Sequence, residues 1–331
     1  MPTGAVLDGV LVQWGERLFY PPSRIVKTQP LPRLDAALKG RAAMIRGRIV
    51  ATVSRRAPQV MVKVTGGGRG MAAIAAHFRY ISKSGRLKIE DDRGVVHRDK
   101  EALRDLIDQW RHGGALIPEE GHRREAFNVM LSMPRGTDPS IVLRAAREFA
   151  AKEFAGHRYL MVLHDHQANP HVHLSVRATA RDGSRLNPRK ADLHRWRETF
   201  AEKLQGWGIE AEASRQSTRG ETRRFDELWR VKARSEGRLS DDSRPAKSGG
   251  RFMQSRVGAL EAWSHISQVL QSSEHQEDRA LARDIEGFVR GSAWLRDWAR
   301  SRKRQAAGVE QGTNVSRGET GRSERDSDIR R

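Results

Sequence analysis

Three histidines in one short segment are the residues of this chain best suited to hold a metal ion. His164, His171 and His173 lie in the run His-Asp-His-Gln-Ala-Asn-Pro-His-Val-His. Three neutral imidazoles leave coordination positions of a divalent ion open, which a catalytic metal needs and a structural metal does not. The chain contains no cysteine, which excludes disulfides, thiolate nucleophiles and cysteine zinc sites. Any metal must therefore be held by histidine or carboxylate.

The pattern around these histidines predicts a β-hairpin that brings them together. Residues 158–178 read as two strands joined by the loop 165–170. Because side-chain direction alternates along a strand, His171 and His173 share one face, and closing the hairpin sets His164 opposite His171 on that face. The apolar residues between them point to the core on the other face. The simpler alternative is a set of ordinary histidines on a solvated face of the sheet.

A phenolic nucleophile could come from one of three tyrosines, namely Tyr20, Tyr80 and Tyr159. Tyr80 closes a predicted helix, where the neighbouring cations Arg79 and Lys83 could bind a phosphate backbone. Tyr159 falls in an apolar strand, and Tyr20 falls in a proline-rich segment. Taken alone, a helical tyrosine beside a phenylalanine is more typical of amphipathic packing than of a nucleophile. The residues by themselves therefore leave the role of Tyr80 open.

The charge of the chain favours nucleic acid as its partner. Lysine and arginine total 61 against 41 acidic residues, which gives a net charge of +20. A charge of this size is the electrostatic footprint of a protein that binds polyphosphate. We find no apolar run long enough to span a membrane and no signal peptide. The sequence therefore predicts a cytoplasmic protein without membrane insertion.

Composition and periodicity divide the chain into five predicted regions. These are a poorly ordered leader (1–57), an α+β domain (58–231), a polar linker (232–251), a helical region (252–304) and a disordered basic and polar tail (305–331). Within the domain, the pattern predicts a strand over 60–64, helices over 71–84 and around 103–110, a strand over 127–131, a helix that starts after Asp138, the hairpin, and a helix over 191–207.

Three ordered segments of the chain resemble the motifs of conjugative relaxases. They are Phe-Arg-Tyr-Ile-Ser-Lys-Ser-Gly-Arg-Leu within residues 69–93, Asn-Val-Met-Leu-Ser-Met-Pro-Arg-Gly-Thr-Asp at residues 128–138, and the histidine segment at residues 164–174. These segments look like those of the mobilisation nucleases, the HUH endonucleases with a single tyrosine. The resemblance covers about residues 58–215, and the third motif is its most specific part.

The resemblance implies a fold, an activity and the roles of several residues. It implies a central antiparallel sheet flanked by helices, Tyr80 as the nucleophile, and a divalent ion, Mg or Mn, held by His164, His171 and His173. Asp165 becomes a candidate to orient the metal ligands, because His166 stands where relatives commonly have an aspartate. The candidate DNA-binding residues are Arg79, Lys83, Ser132, Arg135, Thr137, Arg189 and Lys190.

In such a protein, the tyrosine nicks one strand at a transfer origin, stays attached to the 5′ phosphate and later rejoins the strand. The expected partners are single-stranded or melted origin DNA, accessory proteins of the relaxosome and a type IV coupling protein, and export with the DNA into a recipient cell is left open. One alternative is a rolling-circle replication initiator or a single-strand transposase with the same chemistry. Two others are a metal-dependent nuclease that uses water and a DNA-binding protein without activity.

Overall fold

In the computed structural model, a six-stranded antiparallel sheet carries helices on both of its faces. The structure describes residues 4–20, 36–221, 233, 236–238, 249–297 and 299. In chain order, the elements are α1 (Gly4–Phe19), α2 (Ala36–Val53), β1 (Met61–Gly66), α3 (Met71–Ile81), β2 (Ile89–Asp91), β3 (Val96–His97), α4 (Asp99–His112), β4 (Ala126–Ser132), α5 (Pro139–Glu153), β5 (Tyr159–His164), β6 (His171–Arg177), α6 (Lys190–Gly206), α7 (Gly250–Gln271) and α8 (Gln276–Arg290). The expected α+β fold with a central antiparallel sheet and a helical C-terminal region is confirmed.

The strands follow the order β1-β4-β6-β5-β2-β3, so the predicted hairpin of β5 and β6 lies in the middle of the sheet. One face of this hairpin forms the larger core. Val172, Leu174 and Val176 of β6 pack there against α5 and α6, with Phe149 and Trp196 fully buried. Alternation along β6 leaves its remaining side chains on the opposite face of the sheet.

The opposite face of the sheet is partly covered by α3 and α4. Phe78 of α3 meets Trp110 of α4 edge to face at 4.8 Å, above Leu160 and Val162 of β5. Arg177 of β6 also lies on this face, where it is 5% exposed and bound beneath the end of α4. Only the part of this face that α3 and α4 do not cover is therefore available for a functional site.

The N-terminal segment differs most from its prediction. Residues 4–19 and 36–53, expected to be poorly ordered, form helices that pack against the sheet domain. Arg48 of α2 donates to Glu212 at 2.7 Å and to Glu198 at 2.9 Å, and Arg215 donates to the carbonyl of Leu18 at 3.0 Å. The scattered basic residues of this segment hid its helical pattern, because several of them are partners of acids on the domain. Residues 21–35 lie outside the described residues.

Two strands were absent from the prediction, and one helix ends early. β2 and β3 are only three and two residues long, which is too short for a periodic pattern. The helix α3 ends at Ile81 rather than at Ser84, because Lys83, Ser84 and Gly85 adopt left-handed backbone conformations with φ of 49°, 59° and 85°. The other helices and strands of the domain confirm the predicted order.

The chain divides into two compact units, of which the larger is Thr3–Arg215 and the other includes Gln216–Arg331. In the second unit, α7 packs on α8 with Trp263 and Phe288 at 5.7 Å, and the indole of Trp263 donates to the carbonyl of Thr218. The predicted linker lies largely outside the described residues, and the predicted tail lies entirely outside them. Among the described helices, none has the length and apolar character needed to cross a membrane.

Candidate metal centre and nucleophile

The hairpin brings the three predicted metal ligands together. His164 and His171 are direct partners in the antiparallel ladder, and His173 follows on the same face. The ring centroid of His164 lies 5.0 Å from that of His171 and 4.6 Å from that of His173, and the centroids of His171 and His173 are 5.0 Å apart. One nitrogen from each ring lies within 4.8 Å of the others. The predicted convergence of three imidazoles is confirmed.

Hydrogen bonds to backbone carbonyls orient two of these rings. His164 Nε2 lies 2.7 Å from the carbonyl of Ile81, and His171 Nδ1 lies 2.9 Å from the carbonyl of Asn169. A carbonyl only accepts, so each of these nitrogens carries the proton. The lone pairs therefore sit on His164 Nδ1 and His171 Nε2, free to bind a metal.

Burial keeps the three imidazoles neutral. Removal from water lowers the pKa of His173 to about 3 and also lowers the pKa of His164 and of His171. For His173, three neighbouring histidines, His164, His171 and His77, lower the pKa further, because a second positive charge beside it would be repelled. Neutral imidazole is the form that coordinates a metal. All three rings are therefore ready to act as ligands at neutral pH.

The chemistry of the cluster fits a divalent cation. The Nδ1 atoms of His164 and His173 are buried and have no hydrogen-bond partner. Such atoms are costly unless a ligand satisfies them. Tetrahedral ligands at about 2.1 Å from one ion lie about 3.4 Å apart, so nitrogens that lie within 4.8 Å of one another would need to close by up to about 1.4 Å. Small side-chain rotations would bring them onto one ion.

The candidate nucleophile lies on the helix end that is hydrogen-bonded to this cluster. Tyr80 is the penultimate residue of α3, and its side chain is 60% exposed. The carbonyl of the next residue, Ile81, is the acceptor for His164. One hydrogen bond therefore joins the helix end that carries the phenol to a candidate metal ligand. Sequence reasoning missed this bond because it involves a backbone atom 83 residues away from the histidine.

The turn after Tyr80 is fixed by its own hydrogen bonds. The hydroxyl of Ser82 donates to the carbonyl of Phe78 at 2.6 Å and accepts from the amide of Gly85 at 3.1 Å. Gly85 has a φ of 85°, and a Cβ there would lie 2.1 Å from the carbonyl oxygen of Asp99. A side chain is therefore excluded at Gly85, and these contacts fix the position of the end of α3.

The other two tyrosines lie in different surroundings. Tyr159 is 7% exposed within the larger core, and burial raises the pKa of its phenol. Tyr20 follows α1, where its ring meets His194 at 5.6 Å and the guanidinium of Arg48 at 5.2 Å. Of the three tyrosines, Tyr80 alone has a ring contact with the neighbourhood of the cluster, through His77 at 6.4 Å.

The predicted DNA-binding residues are distributed unevenly around the cluster. Lys83 is exposed in the turn after α3, and its charge contributes to the lowered pKa of His164. Ser132 pairs with His171 across the strands, but it is 3% exposed and its hydroxyl points to the carbonyl of Pro170. Arg79 is exposed in the last turn of α3. Lys83 and Arg79 thus flank Tyr80.

Four further candidates lie farther along the chain. Arg135 is exposed in the loop before α5, and the hydroxyl of Thr137 donates to the carbonyl of Pro134 at 2.9 Å within that loop. Arg189 and Lys190 begin α6, which packs on the apolar face of the sheet. The structure does not bring these last two residues to the histidines.

The loop between the two strands of the hairpin places Asp165 and His166 at the surface. Among the described hydrogen bonds, those that orient the cluster end on the carbonyls of Ile81 and Asn169 and not on the carboxylate of Asp165. His166 is exposed there, and its ring lies 5.2 Å from that of His164.

Comparison with known proteins supports the family resemblance. Residues 80–209 match the family model "Relaxase: MobA/VirD2-like, nuclease domain". A stretch of 135 residues is 26% identical to the T-DNA border endonuclease VirD2 of Rhizobium radiobacter. This alignment covers 36% of the chain and 31% of that relative, so the two share less than a third of the relative's length. The resemblance to the relaxase family is confirmed, and the matched region runs from Tyr80 through all three histidines.

Proposed function

From the match of residues 80–209 to the relaxase nuclease domain, we propose that this protein nicks one DNA strand at a transfer origin and becomes covalently attached to it. The observation that supports the proposal is the link between the helix end that carries Tyr80 and the histidine cluster. A 2.7 Å hydrogen bond ties the residue after Tyr80 to His164. The nucleophile and the candidate metal ligands would therefore keep a fixed geometry.

The proposed reaction is a transesterification at phosphorus. The Tyr80 oxygen attacks the scissile phosphate, the new P–O bond to tyrosine forms, and the bond to the 3′ oxygen breaks in line. The phenolic proton is released, and the leaving 3′ oxygen takes up a proton. The products are a 5′-phosphotyrosine and a free 3′ hydroxyl. One ester replaces another, so attack by a 3′ hydroxyl on the phosphotyrosine rejoins the strand without ATP.

His164, His171 and His173 would hold a divalent cation next to Tyr80. A bound cation supplies neutralisation of the charge on the non-bridging oxygens of the phosphate. Imidazole ligands favour Zn, Cu, Fe or Ni, whereas the resemblance implies Mg or Mn; of these two, Mn is the transition metal and accepts imidazole more readily than Mg does. Burial keeps the imidazole of His164 neutral, and the exposed Lys83 and Arg79 would flank the DNA backbone.

The proposed substrate is single-stranded or melted DNA. A tyrosine at the end of a helix must reach one backbone in line, which a closed duplex prevents. With a net charge of +20, the chain should bind DNA with a steep dependence on salt. Accessory proteins of the relaxosome, a type IV coupling protein, a cytoplasmic location and export with the DNA belong to the same proposal. The similarity to a T-DNA border endonuclease favours mobilisation over replication initiation or transposition.

The experiment that tests the proposal uses single-stranded oligonucleotides from the origin region, labelled at the 3′ end, with Mn. The label should move with the protein on a denaturing gel for the wild type and for Tyr159→Phe, and it should stay with free DNA for Tyr80→Phe. Tyr159→Phe is the matched control because it removes a phenol from the core.

Two outcomes would replace the proposal. Cleavage without a protein adduct would identify a nuclease that uses water. An adduct that survives in Tyr80→Phe would assign the nucleophile to another residue.

A further inference from the structure

A fourth histidine, His77, lies between the candidate nucleophile and the histidine cluster. It precedes Tyr80 by three residues on α3, so both side chains lie on one side of the helix. Neither the motifs nor the family match, which begins at residue 80, assigns it a role. The core-facing residues Ile74 and Ile81 lie about one turn before and after His77, so His77 lies at the edge of the buried side of α3 and next to Tyr80. His77 therefore belongs to the surface that α3 turns toward the cluster.

The ring of His77 contacts both of its functional neighbours. Its centroid lies 6.4 Å from that of Tyr80 with an interplanar angle of 29°, which is an offset stack. Its centroid also lies 6.4 Å from that of His173, at 78°, which is an edge-to-face contact. The imidazole of His77 thus lies between the phenol and a candidate metal ligand and contacts both rings.

Packing alone does not explain a histidine at this position. His77 Nε2 is buried and has no hydrogen-bond partner. An unpaired polar atom in a buried place destabilises the fold, and an apolar side chain of similar size would remove that cost. What remains particular to His77 is its flat ring, which can stack on Tyr80 and meet His173 at the same time.

We propose that His77 is a positioning residue for the strand-transfer reaction. Its ring holds the Tyr80 phenol at a set distance and angle from His173, so that the attacking oxygen faces the phosphate bound at the cluster. This inference rests on the proposed function. Tyr80 is otherwise exposed, and free rotation of its side chain would spread the oxygen over positions that cannot react.

The test compares His77→Phe with His77→Leu. Both substitutions remove the unpaired nitrogen and introduce an apolar side chain, but only phenylalanine keeps a ring. Single-turnover rates of adduct formation are measured with saturating Mn and 3′-labelled single-stranded DNA. Binding of the same DNA is measured in EDTA, and unfolding is followed by heat.

We expect His77→Leu to form the adduct at least about 10-fold more slowly than the wild type, because small displacements of reacting groups cost this much or more. His77→Phe should stay within about 3-fold of the wild type, because its ring restores the stack. Both variants should bind DNA within about 2-fold of the wild type and unfold no earlier than it does, since an unpaired buried nitrogen is gone.

Equal rates for His77→Phe and His77→Leu would overturn the inference, whether both are fast or both are slow. Fast rates would mean that the ring is not needed, and slow rates would mean that the nitrogen is what matters. Failure of the wild type to form any adduct would instead refute the proposed function itself, so the two failures are distinguishable.

Discussion

The two ends of strand β6 bury polar side chains on the same face of the sheet, yet they satisfy them differently. Arg177 donates to the carbonyls of Gly113, at 2.8 Å, and of Ala115. His173, four residues earlier on that face, leaves its buried Nδ1 without a partner. The arginine end of β6 is closed, because the guanidinium of Arg177 finds its acceptors within the protein. The histidine end is open, because the buried nitrogen of His173 would find a partner only in a bound ligand. Burial alone therefore does not distinguish Arg177 from His173, whereas hydrogen-bond satisfaction does.

The largest effect should come from removing one imidazole at the open end. We expect His173→Leu to slow adduct formation about 10³-fold, because a bound cation contributes several kcal/mol to the transition state. Its free energy of unfolding should stay equal to or above that of the wild type, since an unpaired buried nitrogen is lost. Single-turnover cleavage and urea unfolding measure the two quantities. A large loss of stability would mean that the cluster is structural.

The opposite result is expected at the closed end of the strand. Arg177→Met should destabilise the fold by about 3 kcal/mol, because it leaves buried carbonyls at the end of α4 without their charged donor. The affinity for Mn should not change. Urea unfolding and calorimetric titration with Mn decide this, and a weakened Mn affinity would show that the two ends are coupled.

Metal should stabilise the open end directly. Mn at about 100 times its dissociation constant should raise the free energy of unfolding by about 2.7 kcal/mol, and EDTA should reverse the effect. The same addition should leave His173→Leu nearly unchanged while still stabilising Arg177→Met. Thermal unfolding with and without Mn gives the comparison. Equal stabilisation of all three proteins would place the metal somewhere else.

Acid should destabilise the metal-free protein through the histidines. The pKa of His173 is about 3 in the folded protein and about 6.5 in the unfolded chain. Its contribution is therefore fully present above pH 6.5 and is lost as the pH falls from 6.5 toward 3. Between pH 6.5 and 5, the loss should be on the order of 1 to 2 kcal/mol. The slope of the free energy of unfolding against pH should become shallower in His173→Leu and persist in Arg177→Met. Urea unfolding at several pH values would measure this slope.

The smallest effect is expected in the loop beside the cluster. Asp165→Asn should change the affinity for Mn by less than about 2-fold, because the orienting hydrogen bonds come from the carbonyls of Ile81 and Asn169. Calorimetric titration is the measurement. A drop of about 10-fold or more would restore Asp165 as the residue that orients the ligands.

The local patterns of the sequence were sufficient for the hairpin and its histidines. Alternation with a period of two fixed which residues of β6 share a face, and the loop length fixed that His164 meets His171. The cap at Asp138 likewise predicted the start of α5, where its carboxylate accepts from the amide of Ser140 at 2.8 Å. These features depend on residues that are neighbours in the chain, so short-range sequence patterns are enough to predict them.

Contacts between distant segments required the tertiary structure. The bond from His164 to the carbonyl of Ile81 sets the tautomer of a candidate ligand, and the contact of His77 with His173 depends on how α3 packs against the sheet. The helices α1 and α2 gained their place through ion pairs such as that of Arg48 with Glu212. The sequence by itself determined which imidazoles converge, because strand geometry is periodic. Only the packing of α3 against the sheet decided which nitrogens remain free and where the phenol stands, because backbone carbonyls and ring contacts carry no sequence signal.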